Sequence, residues 1–334
     1  MSPDLLFSAT LSHIDYAAVF FVYVLDLKTK RFEEATVLKP FGFGSNISMP
    51  TVVNASLAVK TGEMDISFTE CEDGSTRIEV QCPKFGKSGA LTADLLVQRP
   101  LGDKEESLNV VVPWSATRFQ FTSKQPALPT HGKVMWDGKE YLFGNGVGAA
   151  LVQPAVEGAS SAAAAVPVEA VPVPAWACLD FGRGVWPYSS SWNWASFSGE
   201  SSSGRRVGVN LGGRWTDGTG QNENGIVVDG KLTKIHLEVN WEYDSTNWMK
   251  PWKLTTMPAP AAAVSREAPT PAVAGVSITF TPLFERAAAS NMLVVRSEVH
   301  QMIGTFSGHI VTDDGELIEI ENLQGWAEEH YARW

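Results

Sequence analysis

The sequence predicts an all-β protein, and three observations carry that prediction. Five Asp-Gly pairs, at Asp73-Gly74, Asp137-Gly138, Asp217-Gly218, Asp229-Gly230 and Asp314-Gly315, lie between alternating or β-branched runs. Such pairs suit hairpin turns, whose central residues take positive φ. Counts of 12 Trp and 29 Gly are high for 334 residues, and runs of Leu, Glu, Lys and Ala at helical spacing are scarce, a balance that favours pleated surfaces. Many short strands in meander are expected to close into barrels or sandwiches.

Taken in order, the elements fit this class. The apolar run Tyr16 to Leu25 (YAAVFFVYVL) is flanked by Asp15 and Asp26 and is about half the roughly 20 residues a membrane-spanning helix needs. It is expected to be a buried strand. MDISFTE and STRIEVQC flank Asp73-Gly74, and GIVV and KLTKIHLEVNWEY flank Asp229-Gly230, each pair forming a hairpin. In the last segment Ile235, Leu237, Val239 and Trp241 would point to one face and His236, Glu238, Asn240 and Glu242 to the other, as in one long strand. SITFTPL, NMLVVRSEVHQ and GTFSGHIVT repeat the pattern. Gly325 to Trp334 (GWAEEHYARW) is expected to form a short C-terminal helix plugging a barrel end, with Glu329 facing Arg333 and Trp326 facing His330. Residues 149–175 and 257–274 are rich in Ala, Pro and Val, without a period that could bury a face, and are expected to be flexible insertions. The expected organisation is an N-terminal lobe over 1–148, the insertion 149–175, and a Trp-rich C-terminal lobe over 176–334.

Composition excludes several function classes. Lys plus Arg number 26 against 37 Asp plus Glu, a net charge of −11 that repels phosphate backbones, so nucleic acid is not an expected partner. Cys71, Cys82 and Cys178 form no CxxC pair, which fits a reduced compartment. With no signal-peptide pattern and no transmembrane segment, a cytoplasmic location is expected. The pairs His236-x-Glu238 and Glu298-x-His300 share strand faces, but none of the six His stands in an HxxxH or HExxH arrangement, so no metal is expected. GVNLGG lacks the strand-to-helix context of a dinucleotide fingerprint, and no other cofactor motif is present. Ser189, Ser190 and Ser191 form no nucleophile elbow.

The densest chemical signal runs from Trp176 to Trp252, which holds eight of the Trp residues. Trp192 and Trp194 alternate with Asn193, so the two indoles share one strand face. Arg183, Trp186, Tyr188, Trp192, Asn193, Trp194, Asn210, Trp215, Asp217 and Trp241 are the candidate ligand-binding residues, because apolar walls with a few oriented polar groups make a small-molecule pocket. The bland alternative is that these rings fill a barrel interior with their N–H groups satisfied locally. Asp180, between Leu179 and Phe181, is the candidate proton donor: a carboxyl buried among rings keeps its proton, and ring faces stabilise a developing cation. The competing reading pairs Asp180 with Arg183 as a structural bridge. Asn222, Glu223 and Asn224 could line a pocket mouth, although solvated loop residues are the commoner outcome, and Glu328, Glu329 and His330 read as members of the terminal cap, with a site role as the alternative.

The strings WACLDFGRGVWPYSSSWNWASFSG, GVNLGGRWTDGTGQNENGIVVDGKL, WEYDSTNWMKPW, EVHQMIGTFSGHI and LQGWAEEHYARW resemble the signature blocks of the family catalogued as domain of unknown function 2804, and PWSATRFQFTSKQPALPTHG resembles another. More distantly, Leu179-Asp180 followed by Trp192-Asn193-Trp194, a hairpin and a Trp-rich strand is similar to the second half of the carotenoid hydratase (hydroxyneurosporene synthase) group. That resemblance implies two antiparallel lipocalin-like β-barrel lobes in tandem. It also implies hydration, isomerisation or cyclisation of an isoprenoid, carotenoid or acyl lipid, with a hydrophobic small molecule as partner. The hydratase group tends to place His or Glu directly after the Asp, where this chain has Phe181 and Gly182. The alternative is a non-catalytic carbohydrate- or protein-binding β protein. An enclosed chamber lined by Trp186, Trp192, Trp194 and Trp215 favours the former, and an open row of rings the latter.

Overall fold

The structure, a computed structural model, describes residues 1–87, 89–144, 174–256, 273–292 and 295–333. The stretches 149–175 and 257–274, apart from the last two residues of each, lie outside the described residues. The chain divides into two compact units, residues 1–98 with 129–175 and residues 99–128 with 176–334. Among the described residues no helix is long and apolar enough to cross a membrane.

In the first unit, β1 (Leu5–His13), β2 (Ala17–Asp26) and β3 (Phe32–Pro40) form one antiparallel sheet. The apolar run around Phe20 is the middle strand, with Phe20, Val22, Val24 and Leu25 buried. A second sheet contains β4 (Leu57–Lys60), β5 (Asp65–Glu70), β6 (Thr76–Phe85), β7 (Gly89–Val97), the later part of β9 (Arg118–Trp136) and β10 (Lys139–Phe143). Asp137 and Gly138, both at positive φ, turn β9 into β10 as an Asp-Gly hairpin should.

The second unit holds β8 (Leu108–Ser115), the first part of β9 and β11 (Trp176–Val185), which pair around β9. Its main body is a nine-stranded sheet of β12 (Ser189–Glu200), β13 (Arg206–Gly213), β14 (Gly225–Val228), β15 (Lys231–Lys234), β16 (Val239–Glu242), β17 (Trp252–Thr256), β18 (Gly275–Met292), β19 (Val295–Val311) and β20 (Leu317–Arg333). The strand order is β15-β14-β13-β12-β20-β19-β18-β17-β16, so β15 and β16 lie on opposite edges although only residues 235–238 separate them. Laid flat, eight strand spacings of about 4.8 Å would part the edges by about 38 Å, whereas five Cα steps of about 3.8 Å reach at most about 19 Å. The sheet must therefore curl on itself. Its inside is filled by Phe197, Phe280 and Phe306, with Phe306 centred 4.6 Å from each of the other two, together with Val209, Leu211, Ile278 and Met302.

Two expectations need correction. The long strand over Lys231–Tyr243 is broken into β15 and β16, because the side chains of Asn222 and Asn224 donate to the carbonyls of His236 and Leu237 and displace strand pairing there. The expected C-terminal helix is the end of β20, paired with β12 from Ser189↔Arg333 to Phe197↔Gly325 and with β19 on its other side. Period-2 alternation in GWAEEHYARW serves a strand as well as i,i+4 pairs serve a helix, and two flanking strands that can satisfy every backbone group decide the outcome.

Candidate functional site

The site is built on the convex side of the curled sheet, where β12 carries Trp192 and Trp194 on one face as the alternation requires. The register sets Trp192 opposite His330 and Trp194 opposite Glu328. The Trp192 indole N–H donates to Glu328 Oε1 at 3.1 Å, and Gln301 Nε2 donates to the other carboxyl oxygen at 2.8 Å. Glu328 is buried, and burial outweighs these two donors and pushes its carboxyl up to about 7. It can keep its proton near neutrality. The His330 ring packs 4.1 Å from Trp192, and its Nε2 lies 2.8 Å from Ser297 Oγ. Burial pushes this imidazole down to about 4, so it stays neutral where Glu328 titrates.

Four indoles form one cluster: Trp186 is centred 5.1 Å from Trp114, 5.5 Å from Trp215 and 5.7 Å from Trp192. Their N–H groups are all used. Trp114 donates to the Trp215 carbonyl, Trp186 to Gln120 Oε1 and Trp215 to Glu223 Oε1, at 2.8, 2.7 and 2.7 Å. The rings thus pack on one another. Trp114 and Trp215 also line an open cleft of about 520 Å³, together with Pro187, Ser189, Ser190, Ser191, Arg214 and Asp217.

Beside this cluster lies a charge network centred on the buried Lys124. Lys124 on β9 holds Asp180 at 2.7 Å and Glu223 at 3.8 Å, and its ammonium sits 4.4 Å over the Trp194 ring. Burial alone would depress the ammonium, but Asp180 and Glu223 outweigh it and hold it above the ordinary lysine range. Burial raises the Glu223 carboxyl against the pull of Lys124 and Trp215. Trp194 donates to Asn210 Oδ1 and Asn210 donates to the Glu223 carbonyl, both at 2.7 Å, which ties β12 and β13 to the loop after β13. The neighbouring Cys178 thiol is pushed up to about 11 by burial, which leaves it unreactive.

Of the sequence-derived candidates, Trp186, Trp192 and Trp215 are brought together and Asp217 lines the same cleft. Trp194 and Asn210 join the Lys124 network. Asp180 does not line the cleft. Its side chain is 44% exposed and its ion-pair partner is Lys124. Asn193 points into the curled sheet and donates to the Tyr243 hydroxyl, and Trp241 packs against that same interior core. Arg183 and Tyr188 are exposed. Sequence reasoning missed Trp114, Gln120, Lys124, Gln301 and Arg214, and set Glu223 and Glu328 aside. Trp114, Gln120 and Lys124 stand in PWSATRFQFTSKQPALPTHG, a block whose strand alternation gave no hint of the strands it would face. Glu328 was obscured by reading its segment as a helix.

Antiparallel sheets in both units, the nine-stranded one of the second curled on itself beside a cleft lined in part by indoles, define an all-β protein. The chain belongs to the family described as Domain of unknown function (DUF2804), whose profile matches residues 1–334. Solved structures with similar folds include kievitone hydratase from Nectria haematococca, at 10% identity and TM-score 0.46 over 98% of this chain and 84% of that one. A protein solved as a candidate AttH from Nitrosomonas europaea follows at 13% identity and TM-score 0.48, over 98% and 88% of the two chains. CghA in complex with Sch210972 is 12% identical with TM-score 0.39, over 99% and 87%. These are likenesses of fold. No curated protein sequence matches at a significant level.

Proposed function

We propose that the second unit binds a hydrophobic small molecule against the cleft wall formed by Trp114 and Trp215, and acts on it by proton transfer. The reaction class is hydration, isomerisation or cyclisation of an alkene, as an isoprenoid, carotenoid or acyl compound would offer. The observation that carries this reading is Glu328: a buried carboxyl able to keep its proton near neutrality, hydrogen-bonded to an indole of the cluster that backs the cleft. Ring faces beside such an acid stabilise positive charge developing on carbon. In this scheme Glu328 gives the proton, and Asp180 keeps Lys124 charged and in place.

The test is incubation in deuterium oxide with geranylgeraniol, β-ionone and oleate as probes, read by mass spectrometry. Protonation at carbon predicts solvent deuterium in a recovered probe or product, lost in Glu328→Gln while binding survives. Saturable binding without deuterium incorporation would make the protein a carrier. A second reading, carbohydrate binding, is favoured by Ser189, Ser190, Ser191, Arg214 and Asp217, whose side chains carry hydroxyl and charged groups, lining the same cleft as the two indoles. Retention on immobilised glycans, lost in Trp114→Ala, would select it.

A further inference from the structure

We infer that Arg214 anchors a single neutral oxygen, a carbonyl or hydroxyl, on a ligand whose ring lies against Trp114 and Trp215. The cleft would then prefer oxygenated ring compounds over both bare hydrocarbons and carboxylic acids. This rests on the reading of the cleft as a small-molecule site and narrows the class it takes.

Arg214 stands directly after β13 with a φ of +70°, in the left-handed region that non-glycine residues rarely adopt and that clusters at ligand clamps. Two backbone bonds hold it there: Trp215 N–H to the Gly213 carbonyl and Asp217 N–H to the Arg214 carbonyl, both at 3.0 Å. The side chain is tethered at one nitrogen only. Nη2 donates to the Tyr243 hydroxyl at 2.9 Å and lies 3.0 Å from Glu329. Tyr243 is itself fixed, since it donates to Glu329, accepts from Asn193 at 3.1 Å and stacks 4.2 Å from Trp252. Nε and Nη1 have no hydrogen-bond partner among the described residues, and the side chain as a whole is 45% exposed in a residue that lines the cleft.

A carboxylate is best gripped by two adjacent guanidinium nitrogens. With Nη2 taken up by Glu329 and Tyr243, neither two-nitrogen edge of Arg214 is free, and what remains are separate donors suited to one oxygen each. The hydroxyls of Ser190 and Ser191, also without side-chain partners among the described residues, add further single donors on the same cleft. An oxygen held at this edge leaves the ring of the ligand beside the indole wall.

Equilibrium dialysis with naphthalene, 2-acetylnaphthalene and 2-naphthoate, which share one ring system, tests this. In the wild-type chain 2-acetylnaphthalene is expected to bind about tenfold tighter than naphthalene, as one hydrogen bond to a charged donor should yield, and no weaker than 2-naphthoate. Arg214→Met should bring the ketone and the hydrocarbon to equal affinity, since naphthalene takes no hydrogen bond from the site. Arg214→Lys supplies a second variant that keeps a cation for Glu329 and Tyr243, and so keeps the fold, but has no second nitrogen to offer. It should lose the preference too. Equal ketone and hydrocarbon affinity in the wild type, a preference surviving in both variants, or tighter binding of the naphthoate than of the ketone would each overturn the inference while leaving the cleft a binding site. Absence of saturable binding by any probe would instead remove the small-molecule reading, and this inference with it.

Discussion

Replacing Glu328 by Gln should abolish a specific part of the protein's pH dependence. Gln is isosteric, its oxygen still accepts from Trp192, and a rotation of the Gln301 amide restores the second bond, so the packing is kept. The ionisation is not. Below the ordinary glutamate value of 4.5 the folded and unfolded chains both carry the proton and Glu328 costs nothing extra. Between 4.5 and about 7 the unfolded chain releases it while the folded chain holds it. The folded state then binds more protons than the unfolded state, and stability falls as pH rises. At about 1.4 kcal/mol per pH unit over that interval, the loss sums to about 3 kcal/mol, complete above pH 7. Urea denaturation of wild type and Glu328→Gln at pH 5 and pH 8, followed by tryptophan fluorescence, isolates it because every other titrating group is common to both. The wild type should lose about 2.5 kcal/mol more than the variant between the two pH values, since part of the loss has already set in at pH 5. Stabilities that run parallel within about 1 kcal/mol would refute the premise that Glu328 is a proton-retaining buried acid, and the proposed chemistry with it.

Three further outcomes are expected. Lys124→Met strands Glu223 as a buried carboxylate and should cost about 3–5 kcal/mol at neutral pH, with a smaller cost in acid where Glu223 takes up a proton, as denaturant titrations at both pH values would record. Phe306→Ala, in the stack with Phe197 and Phe280, should cost about 3–5 kcal/mol in the same assay. The His330 imidazole, pushed down to about 4, should remain neutral in proton–carbon NMR titrations down to about pH 5, and a midpoint near the ordinary 6.5 would contradict its burial against Trp192.

Much of the fold was legible because β structure writes itself locally. Period-2 alternation, turn residues able to take positive φ and apolar runs too short to span a membrane are properties of neighbouring residues, and they carried the all-β class, the buried run around Phe20 and the shared face of Trp192 and Trp194. The hairpin turns at Asp137-Gly138 and Asp229-Gly230 were legible for the same reason. Where two local codes overlap, the sequence misleads: GWAEEHYARW supports a helix or a strand, and KLTKIHLEVNWEY alternates smoothly through the point where Asn222 and Asn224 break it.

The sequence alone determined the all-β class and that tryptophans crowd the C-terminal half. Only the tertiary structure decided which strands become neighbours, and with them the site. Lys124 reaches Asp180 and Glu223 from 56 and 99 residues away in sequence, and Trp192 meets Glu328 across 136 residues. Residues 99–128 group with the second unit. The physical reason is that burial and ion pairing depend on what the facing strand supplies. A carboxyl's proton affinity and an indole's exposure are therefore set by register between distant segments, which no local pattern encodes.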